Sequence, residues 1–248
     1  MRALLALSLL LPRLALAAVT CDTTSLFHNY GDGGITSWYD ATLAVTTTDA
    51  RILVVLGQTH YNGGTPVSTA SGGGLTWHKI QEHVSTASPG DASAFWAYSA
   101  DPISNTTISV TWNSPQYRVL ATLYACTGAD SVDPIGAATA TQTAASVPAD
   151  IAISATGTGS LVVASSFNGD GTPTFRGDTS TAYSYSNGTT RTLWTVYSST
   201  TTSGPGAVTL GTTAPTLTSG ASIQALEIRA GTAGATTCFA GMGFWGCQ

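Results

Sequence analysis

The sequence predicts an all-β fold, a jelly-roll-like β-sandwich of about a dozen strands, and three observations point to it. The 248 residues are 43% hydrophobic but only 8% charged, and Thr, Ser, Ala and Gly fill the shortfall of charged residues, which suits strands and turns better than helices. Short segments alternate between apolar and polar residues, as strands with one buried face do. The third observation is an internal repeat.

The repeat begins with residues 41–55, which align without a gap to residues 149–163. In both segments an alternating strand runs through a polar turn into an apolar strand, and an Asn-Gly turn follows. The correspondence continues with small gaps, so that one copy covers residues 41–128 and the other residues 149–230. Order, spacing and turn chemistry agree, which favours a duplication over chance similarity between Thr-rich strands.

Two architectures fit the duplicated pattern: one fused sandwich, or two separate immunoglobulin-like sandwiches. The segment between the copies has no obvious flexible linker. Residues 52–56 and 161–164 are apolar at every position, as expected for central strands covered on both faces. The prediction is therefore a single β-sandwich domain over residues 18–230. Within it, residues 95–96 align with residues 193–194.

Residues 1–17 are predicted to be a signal peptide. Arg2 precedes an apolar stretch over residues 3–11, and residues 15–17 supply a small-x-small cleavage signal, so the mature chain would begin near Ala18. No later apolar stretch is long enough to span a bilayer as a helix. The expected location is outside the cell, secreted or at the cell surface.

The charge balance argues against some partners. Loss of Arg2 and Arg13 from the eight Lys and Arg residues leaves six against 13 acidic residues, a formal charge of about −7. Such a chain offers no basic surface to phosphates, so nucleic acid and anionic membranes are not expected as partners. The expected partners are the protein itself, other surface proteins, or glycans.

Four cysteines fit an oxidising compartment. Cys238 and Cys247 would close a short loop and Cys21 and Cys126 would form the other pair, although three connectivities are possible. Aligning residues 123–128 with residues 226–231 predicts that Leu123 and Ala125 face the core, so that Cys126 points away from it. A disulfide on the surface is the expectation for Cys126.

No catalytic residue is predicted, because the sequence lacks the common catalytic and phosphate-binding motifs. The chain has two glutamates, Glu82 and Glu227, and alternation places Glu227 on a solvated face. A glycosidase-like hydrolase with an unrecognised site remains an alternative. It would have to pair Glu82 with an aspartate such as Asp91 or Asp101.

No cofactor is predicted, but two groups of residues are candidates for metal binding. His60, His78 and His83 lie in one third of the chain without a ligand spacing, which favours isolated histidines. Asp32 and Asp170 lie in Gly-Asp-Gly turns of the kind that hold structural calcium in extracellular sandwiches, while simple turns remain the alternative.

Aromatic residues near strand ends are candidates for carbohydrate binding, because flat rings stack on sugar faces. Aromatic residues also fill β-sandwich cores, so burial is the competing interpretation. The candidates are Trp38, Tyr39, Tyr61, Trp77 and Trp112.

Several segments resemble a known group of proteins: residues 74–77, 95–102, 108–112 and 124–130, followed by Asp133 and Pro134. They resemble a loose family of β-sandwich modules found in bacterial secreted surface proteins and in phage structural proteins. The resemblance covers roughly residues 51–229 and implies a sandwich fold and a location outside the cytoplasm. It implies no catalytic residue and no particular ligand.

These observations together predict a non-enzymatic structural or adhesive protein, with a carbohydrate-binding module as the alternative. The Gly- and Ala-rich C-terminal tail, residues 231–248, carries apolar side chains in its cysteine-bounded loop. They would either cap the sandwich or insert into a partner and drive self-assembly. The candidate contact residues are Phe239, Met242, Phe244 and Trp245.

Overall fold

The computed structural model describes residues 18–30, 38–49, 51–60, 68–84, 90–116, 118–168, 171–186, 192–217 and 220–231. These residues form sixteen strands and no helix, arranged in four antiparallel sheets, which confirms the predicted all-β sandwich class. Among them there is accordingly no helix of a length and apolarity that would cross a membrane. The predicted signal peptide and most of the C-terminal tail, residues 232–248, lie outside the described residues.

The strands divide into two sets of eight. The first set is β1 (Thr20–Tyr30), β2 (Trp38–Val45), β3 (Arg51–His60), β4 (Ser68–Gly72), β5 (His78–His83), β6 (Ala92–Ser99), β7 (Thr106–Gln116) and β8 (Arg118–Thr127). The second set is β9 (Ile135–Gln142), β10 (Asp150–Ala155), β11 (Leu161–Asn168), β12 (Thr174–Phe175), β13 (Thr179–Ser186), β14 (Thr192–Ser198), β15 (Gly206–Ala214) and β16 (Ala221–Ile228).

Each set forms the same pair of sheets. The first set gives a five-stranded sheet in the order β1-β8-β3-β6-β5 and a three-stranded sheet in the order β2-β7-β4. The second set gives β9-β16-β11-β14-β13 and β10-β15-β12, which are the same orders advanced by eight strands. This agreement in topology supports the duplication inferred from the sequence, and it adds β1 and β9 to the two copies.

Alternation of side chains along the strands builds an inner core within each sandwich. In the first sandwich Leu53 and Val55 of β3 pack against Leu43 of β2 and Val110 of β7, in what we call the first inner core. In the second, Val162 and Ala164 of β11 pack against Ile151 and Leu210 in the second inner core. Each inner core lies between a five-stranded and a three-stranded sheet.

The alternate residues of the five-stranded sheets form a third apolar region, the central layer. Ile52 and Val54 of β3 face Leu161 and Val163 of β11, and all of these side chains are buried. The two sandwiches therefore pack back to back, with sheets of three, five, five and three strands in succession. The central layer explains why residues 52–56 and 161–164 are apolar at every position: both faces of these strands are covered.

Polar side chains fix the alignment of the two sandwiches within this layer. Gln58 of β3 donates from Nε2 to the carbonyl of Ser165 at 3.0 Å. Gln224 of β16 donates from Nε2 to the carbonyls of Gly57, at 3.0 Å, and Ser93, at 2.8 Å. The buried Tyr124 of β8 donates its hydroxyl to Oγ1 of Thr195 at 3.2 Å. Burying such groups without partners would be costly, so these bonds favour one relative placement.

The two copies run in the same direction, which gives the molecule two distinct ends. The strand registers place the strand ends joined by the β1–β2, β3–β4, β5–β6 and β7–β8 links at one end of the first sandwich. The corresponding strand ends of the second copy lie beside them, as the packing of Leu120 on Phe167 and Leu193 shows. We call this the loop end. At the opposite terminal end, the backbone N–H of Val19 donates to Gly159, and that of Gly231 donates to Gly128.

The gapless alignment of residues 41–55 with residues 149–163 is wrong by one residue beyond the first strand. It pairs Leu53, which lies in the first inner core, with Leu161, which lies in the central layer. The alignment of residues 95–96 with 193–194 fails in the same way, because Phe95 and Trp194 are the inner-core members of the two pairs. The side-chain period of a strand is two, so a shift of one residue exchanges the faces.

The disulfide joins Cys21 of β1 to Cys126 of β8, one of the pairings left open by the sequence. Cys126 points away from the first inner core, as expected, but the surface location is wrong. The side chain is buried in the central layer, because the second sandwich covers that face of the sheet. Cys238 and Cys247 lie outside the described residues.

Candidate functional site

The most unusual polar group of the first sandwich is Asp91, which lies just before β6 at the loop end and is fully buried. Its backbone N–H donates to Oγ1 of Thr59 at 3.0 Å, and the N–H of Thr59 donates back to the Asp91 carbonyl at 2.9 Å. Trp112 of β7 donates its indole N–H to Oδ2 of Asp91 at 3.1 Å. Asp91 therefore links the five-stranded sheet to the three-stranded sheet.

A glycine makes room for the tryptophan that reaches Asp91. A Cβ at Gly57 would lie 3.3 Å from Cζ2 of Trp112 and 2.9 Å from Oγ of Ser93, both tighter than ordinary contacts. With glycine at this position, the Trp112 ring lies across β3 inside the first inner core. The local sequence thus places the indole N–H against the buried carboxyl group.

Glu82 of β5 lies near Asp91 and completes an acidic pair. Its Oε1 accepts hydrogen bonds from the backbone N–H and the hydroxyl of Ser68, at 2.7 and 2.8 Å. Its Oε2 accepts from Nζ of Lys79 at 2.8 Å. The Lys79 ammonium also lies 5.6 Å from the ring centre of Phe95. Glu82 thereby ties the β5 edge of one sheet to the β4 edge of the other.

The two carboxyl groups of the acidic pair have different surroundings. Burial, and after it the negative charge of Glu82, raises the pKa of Asp91 to about 8, although the Trp112 hydrogen bond and Lys79 act in the opposite direction. Asp91 is therefore mostly protonated at neutral pH. Its Oδ1 has no hydrogen-bond partner among the described residues. A neutral acid beside a carboxylate is the arrangement that proton-transfer chemistry uses, but Asp91 has no exposed surface in this structure.

Glu227, the other glutamate, has a different role in the second sandwich, and its expected place on a solvated face is wrong. The side chain is fully buried because β10, β9 and the 156–160 turn close over it. The backbone N–H groups of Thr156, Gly157 and Ala137 donate to its carboxylate at 2.8, 3.0 and 3.1 Å. A Cβ at Gly136 would lie only 2.1 Å from Oε2, so only glycine fits there without a shift of the carboxylate.

Burial raises the pKa of Glu227, but the hydrogen bonds from Thr156 and Ala137 outweigh it and hold the pKa below its ordinary value. Glu227 is therefore an ionised anchor whose acceptor capacity is used by the surrounding chain. The structure gives Glu227 a structural role.

The predicted carbohydrate-binding residues do not share one environment. Trp112 is buried, and Trp77 packs partly against the first inner core while its indole N–H donates to the Gly72 carbonyl at 3.1 Å. Trp38 and Tyr39 begin β2 at the loop end, opposite Gln116, although their side chains are not described. Tyr61 lies outside the described residues.

The metal candidates are not brought together by the described residues, in which no group of three or more His, Cys, Asp or Glu side chains is placed to hold a metal ion. His78 stacks on Trp96, with ring centres 4.7 Å apart. His83 ends β5, and the side chain of His60 is not described. Asp32 and Asp170 lie outside the described residues, as do Phe239, Met242, Phe244 and Trp245.

A polar groove of about 370 Å³ lies at the terminal end of the second sandwich, lined largely by residues 198–209. Its ionisable groups are Arg176 and Asp178, whose side chains pair with a 3.6 Å contact from Nε to Oδ1. Arg176 also contacts Oδ2 of Asp150 at 3.4 Å. The charges in this groove are thus engaged with each other.

Three aromatic residues, of which the sequence analysis named only His78 and only as a metal candidate, form the most exposed aromatic surface that the structure describes. Tyr98 is 43% exposed, Trp96 is half-buried, and His78 is exposed and stacked on Trp96. The signal in the sequence is the alternation on β6, which puts residues 96 and 98 on one face. We call these residues the open corner.

The geometry defines an all-β protein in which two topologically identical sandwiches are fused through a central layer. Comparisons of this chain with family models, with curated proteins and with solved structures find no match.

Proposed function

We propose that the chain is a non-enzymatic structural or adhesive protein that acts outside the cell. The observation that carries this proposal is the difference between the two ends of the double sandwich. Both ends of the described chain, Ala18 and Gly231, lie at the terminal end. The strand ends joined by the β1–β2, β3–β4, β5–β6 and β7–β8 links, and by their counterparts in the second copy, lie at the loop end. A body held at one end presents the other end to a partner.

The covalent and packing features of the body support a role under extracellular conditions. Cys21 and Cys126 are joined, which fits an oxidising compartment. The central layer and two inner cores bury nearly all large apolar side chains of the described strands. A charge-poor, Thr- and Ser-rich surface favours packing against copies of itself or against other surface proteins over binding to polyanions.

The solution mass of the purified mature chain, measured by light scattering behind a sizing column, tests this proposal. We expect a discrete oligomer or a polymer that persists on dilution to micromolar concentration. The same measurement on a chain ending at Gly231 shows whether residues 232–248 make the contact. A monomer at all concentrations, with no binding to surface extracts, would contradict the structural role.

Carbohydrate binding is the second candidate, favoured by the position of Trp38 and Tyr39 at the start of β2 on the loop end. A glycan array with the intact chain and with Trp38→Ala tests it. Trp77→Ala is the matched control, because Trp77 lies beside Gly72 at the terminal end. Binding that is lost in Trp38→Ala and retained in Trp77→Ala would support a glycan site at the loop end.

A further inference from the structure

The open corner is a patch of aromatic surface at the margin of the central layer. Trp96 packs against the central layer, and Tyr98 pairs directly with Ile52, whose side chain is buried in that layer. His78 of the edge strand β5 is in register with Trp96 and stacks on it, with the ring planes 24° apart. At this corner the apolar interior between the two sandwiches therefore continues onto the surface.

The described chain ends close to this corner. Tyr98 and Cys126 pair with Ile52 from opposite sides, so their backbones are two strand spacings, about 10 Å, apart. Gly128 follows two residues after Cys126, and the N–H of Gly231 donates to its carbonyl at 2.8 Å. The described chain thus ends at the same end of the molecule as Tyr98 and a short distance from it.

The length and composition of the following residues suit the corner. The two residues from Cys126 to Gly128 add at most about 7 Å, so the backbone of Gly128 lies within about 17 Å of that of Tyr98. Residues 232–237 extend up to about 20 Å, which is enough to cover this distance. The segment 232–248 carries no charged residue and contains three aromatic side chains and Met242 within its last ten residues before Gln248. Aromatic and thioether groups pack favourably on exposed aromatic rings.

We propose that residues 232–248 fold back on their own chain and cover the open corner, with Phe239, Met242, Phe244 and Trp245 supplying the apolar contact to Trp96 and Tyr98. The sequence left two alternatives for the C-terminal loop, capping of the sandwich and insertion into a partner, and the proposal selects capping. A tethered segment has a high effective concentration at a nearby surface, which favours its own chain over a second copy. The inference does not depend on the proposed function, because a capped body can still assemble through its loop end.

Hydroxyl-radical footprinting of the full mature chain, read by mass spectrometry, tests the proposal. We expect Tyr98 to be oxidised several-fold more slowly in the full chain than in a chain ending at Gly231. Val132, which is 85% exposed in the link between the sandwiches, is the internal reference and should react equally in both. Equal oxidation of Tyr98 in the two chains would overturn the proposal.

Two further variants keep the test independent of folding and of assembly. Phe244→Ser combined with Trp245→Ser leaves both cysteines in place and should expose Tyr98 as truncation does, whereas Gln248→Ser should not. Protection of Tyr98 that disappears on dilution would assign the segment to a second copy and overturn the proposal. Oligomers that persist while Tyr98 is fully oxidised would leave the structural function standing and reject this inference alone.

Discussion

The two sandwiches have the same strand order but stabilise their interiors with different polar groups. The first contains Asp91, a buried acid with a raised pKa that bonds to Trp112 at the loop end. The second contains Glu227, a buried carboxylate with a lowered pKa that holds the 156–160 turn and β9 at the terminal end. One topology therefore accepts a neutral acid and an ionised one, and the number of donors around each decides which form is stable.

The tryptophans of the two inner cores differ in a parallel way. Trp112 comes from β7 of a three-stranded sheet, whereas Trp194 comes from β14 of a five-stranded sheet and meets Phe175 edge-on at 6.0 Å. Both rings are buried. The same layered space can be filled from either sheet, so equal packing does not require equal positions in the sequence.

Removing the disulfide should have the largest effect, and it should fall on the first sandwich. Cys21 and Cys126 are 105 residues apart, and closing a loop of this size contributes about 5 kcal/mol in the chain-entropy model. For Cys21→Ala with Cys126→Ala we expect a loss of about this size and an earlier transition for the first sandwich. Denaturant unfolding with hydrogen exchange read by mass spectrometry measures both. Equal destabilisation of β9 to β16 would show that the two sandwiches unfold as one unit.

Glu227→Gln should be the next largest change and should act on the second sandwich. An amide replaces an acceptor that three backbone N–H groups and Thr156 share, so we expect a loss of about 3 kcal/mol in unfolding free energy at pH 7. A depressed pKa stabilises the fold above the ordinary carboxyl range, and that contribution is lost as pH falls through the folded value. The fall in unfolding free energy as the pH drops below 4.5 should therefore be smaller in Glu227→Gln than in the wild-type protein. A parallel decline in both proteins would contradict the anchoring role.

Asp91→Asn should give the opposite pH dependence. A raised pKa means that the folded state holds a proton that the unfolded state releases, so stability falls as pH rises from the ordinary value of 3.8 to about 8. Between pH 6 and pH 8 the titration of Asp91 should lower the unfolding free energy of the wild-type protein by about 2 kcal/mol. The amide retains an acceptor for Trp112 and carries no proton equilibrium, so the variant should lack this decline. Denaturant midpoints at pH 6 and pH 8 measure this decline in both proteins. An equal decline in the wild type and in Asp91→Asn would show that Asp91 does not cause it.

Arg229→Ala should have the smallest effect and is the matched control for Glu227. Arg229 is two residues further along the chain and pairs with Asp133 and Thr156 at the surface. Its side chain is 35% exposed and that of Asp133 is 71% exposed, so the pair is screened by solvent. We expect a change of about 0.5 kcal/mol or less by denaturant unfolding. A loss comparable to that of Glu227→Gln would place the stabilisation in the surface pair.

The sequence predicted the features that depend on local patterning. The alternation of Leu43 and Val45, and of Ile151 and Ile153, correctly identified strands with one buried face. The all-β class is confirmed, and the Cys21–Cys126 pairing was among the possibilities. From the sequence, a hydrolase would have had to pair Glu82 with an aspartate such as Asp91 or Asp101, and the structure places Asp91 near Glu82.

The features that escaped prediction depend on the register and on the third dimension. The alignment of the two copies was wrong by one residue in β11, β14 and β16, so it assigned the side chains of these strands to the wrong faces. For this reason Glu227 was expected at the surface, although it lies in the interior. Continuous apolar strands indicate two covered faces but not what covers the second face. The central layer, which buries Cys126 and leaves Tyr98 at its margin, comes from packing between distant parts of the chain.

The reciprocal contacts across the central layer have a further consequence. Strand β3 lies against its counterpart β11, while β6 lies against β16 and Tyr124 of β8 reaches Thr195 of β14, so the halves meet as the subunits of a symmetric homodimer do. Here one chain supplies both halves, so their association does not depend on protein concentration. Covalent linkage also frees each half from having to match the other. A substitution at the loop end appears once in the molecule instead of twice, and the two halves can acquire separate partners.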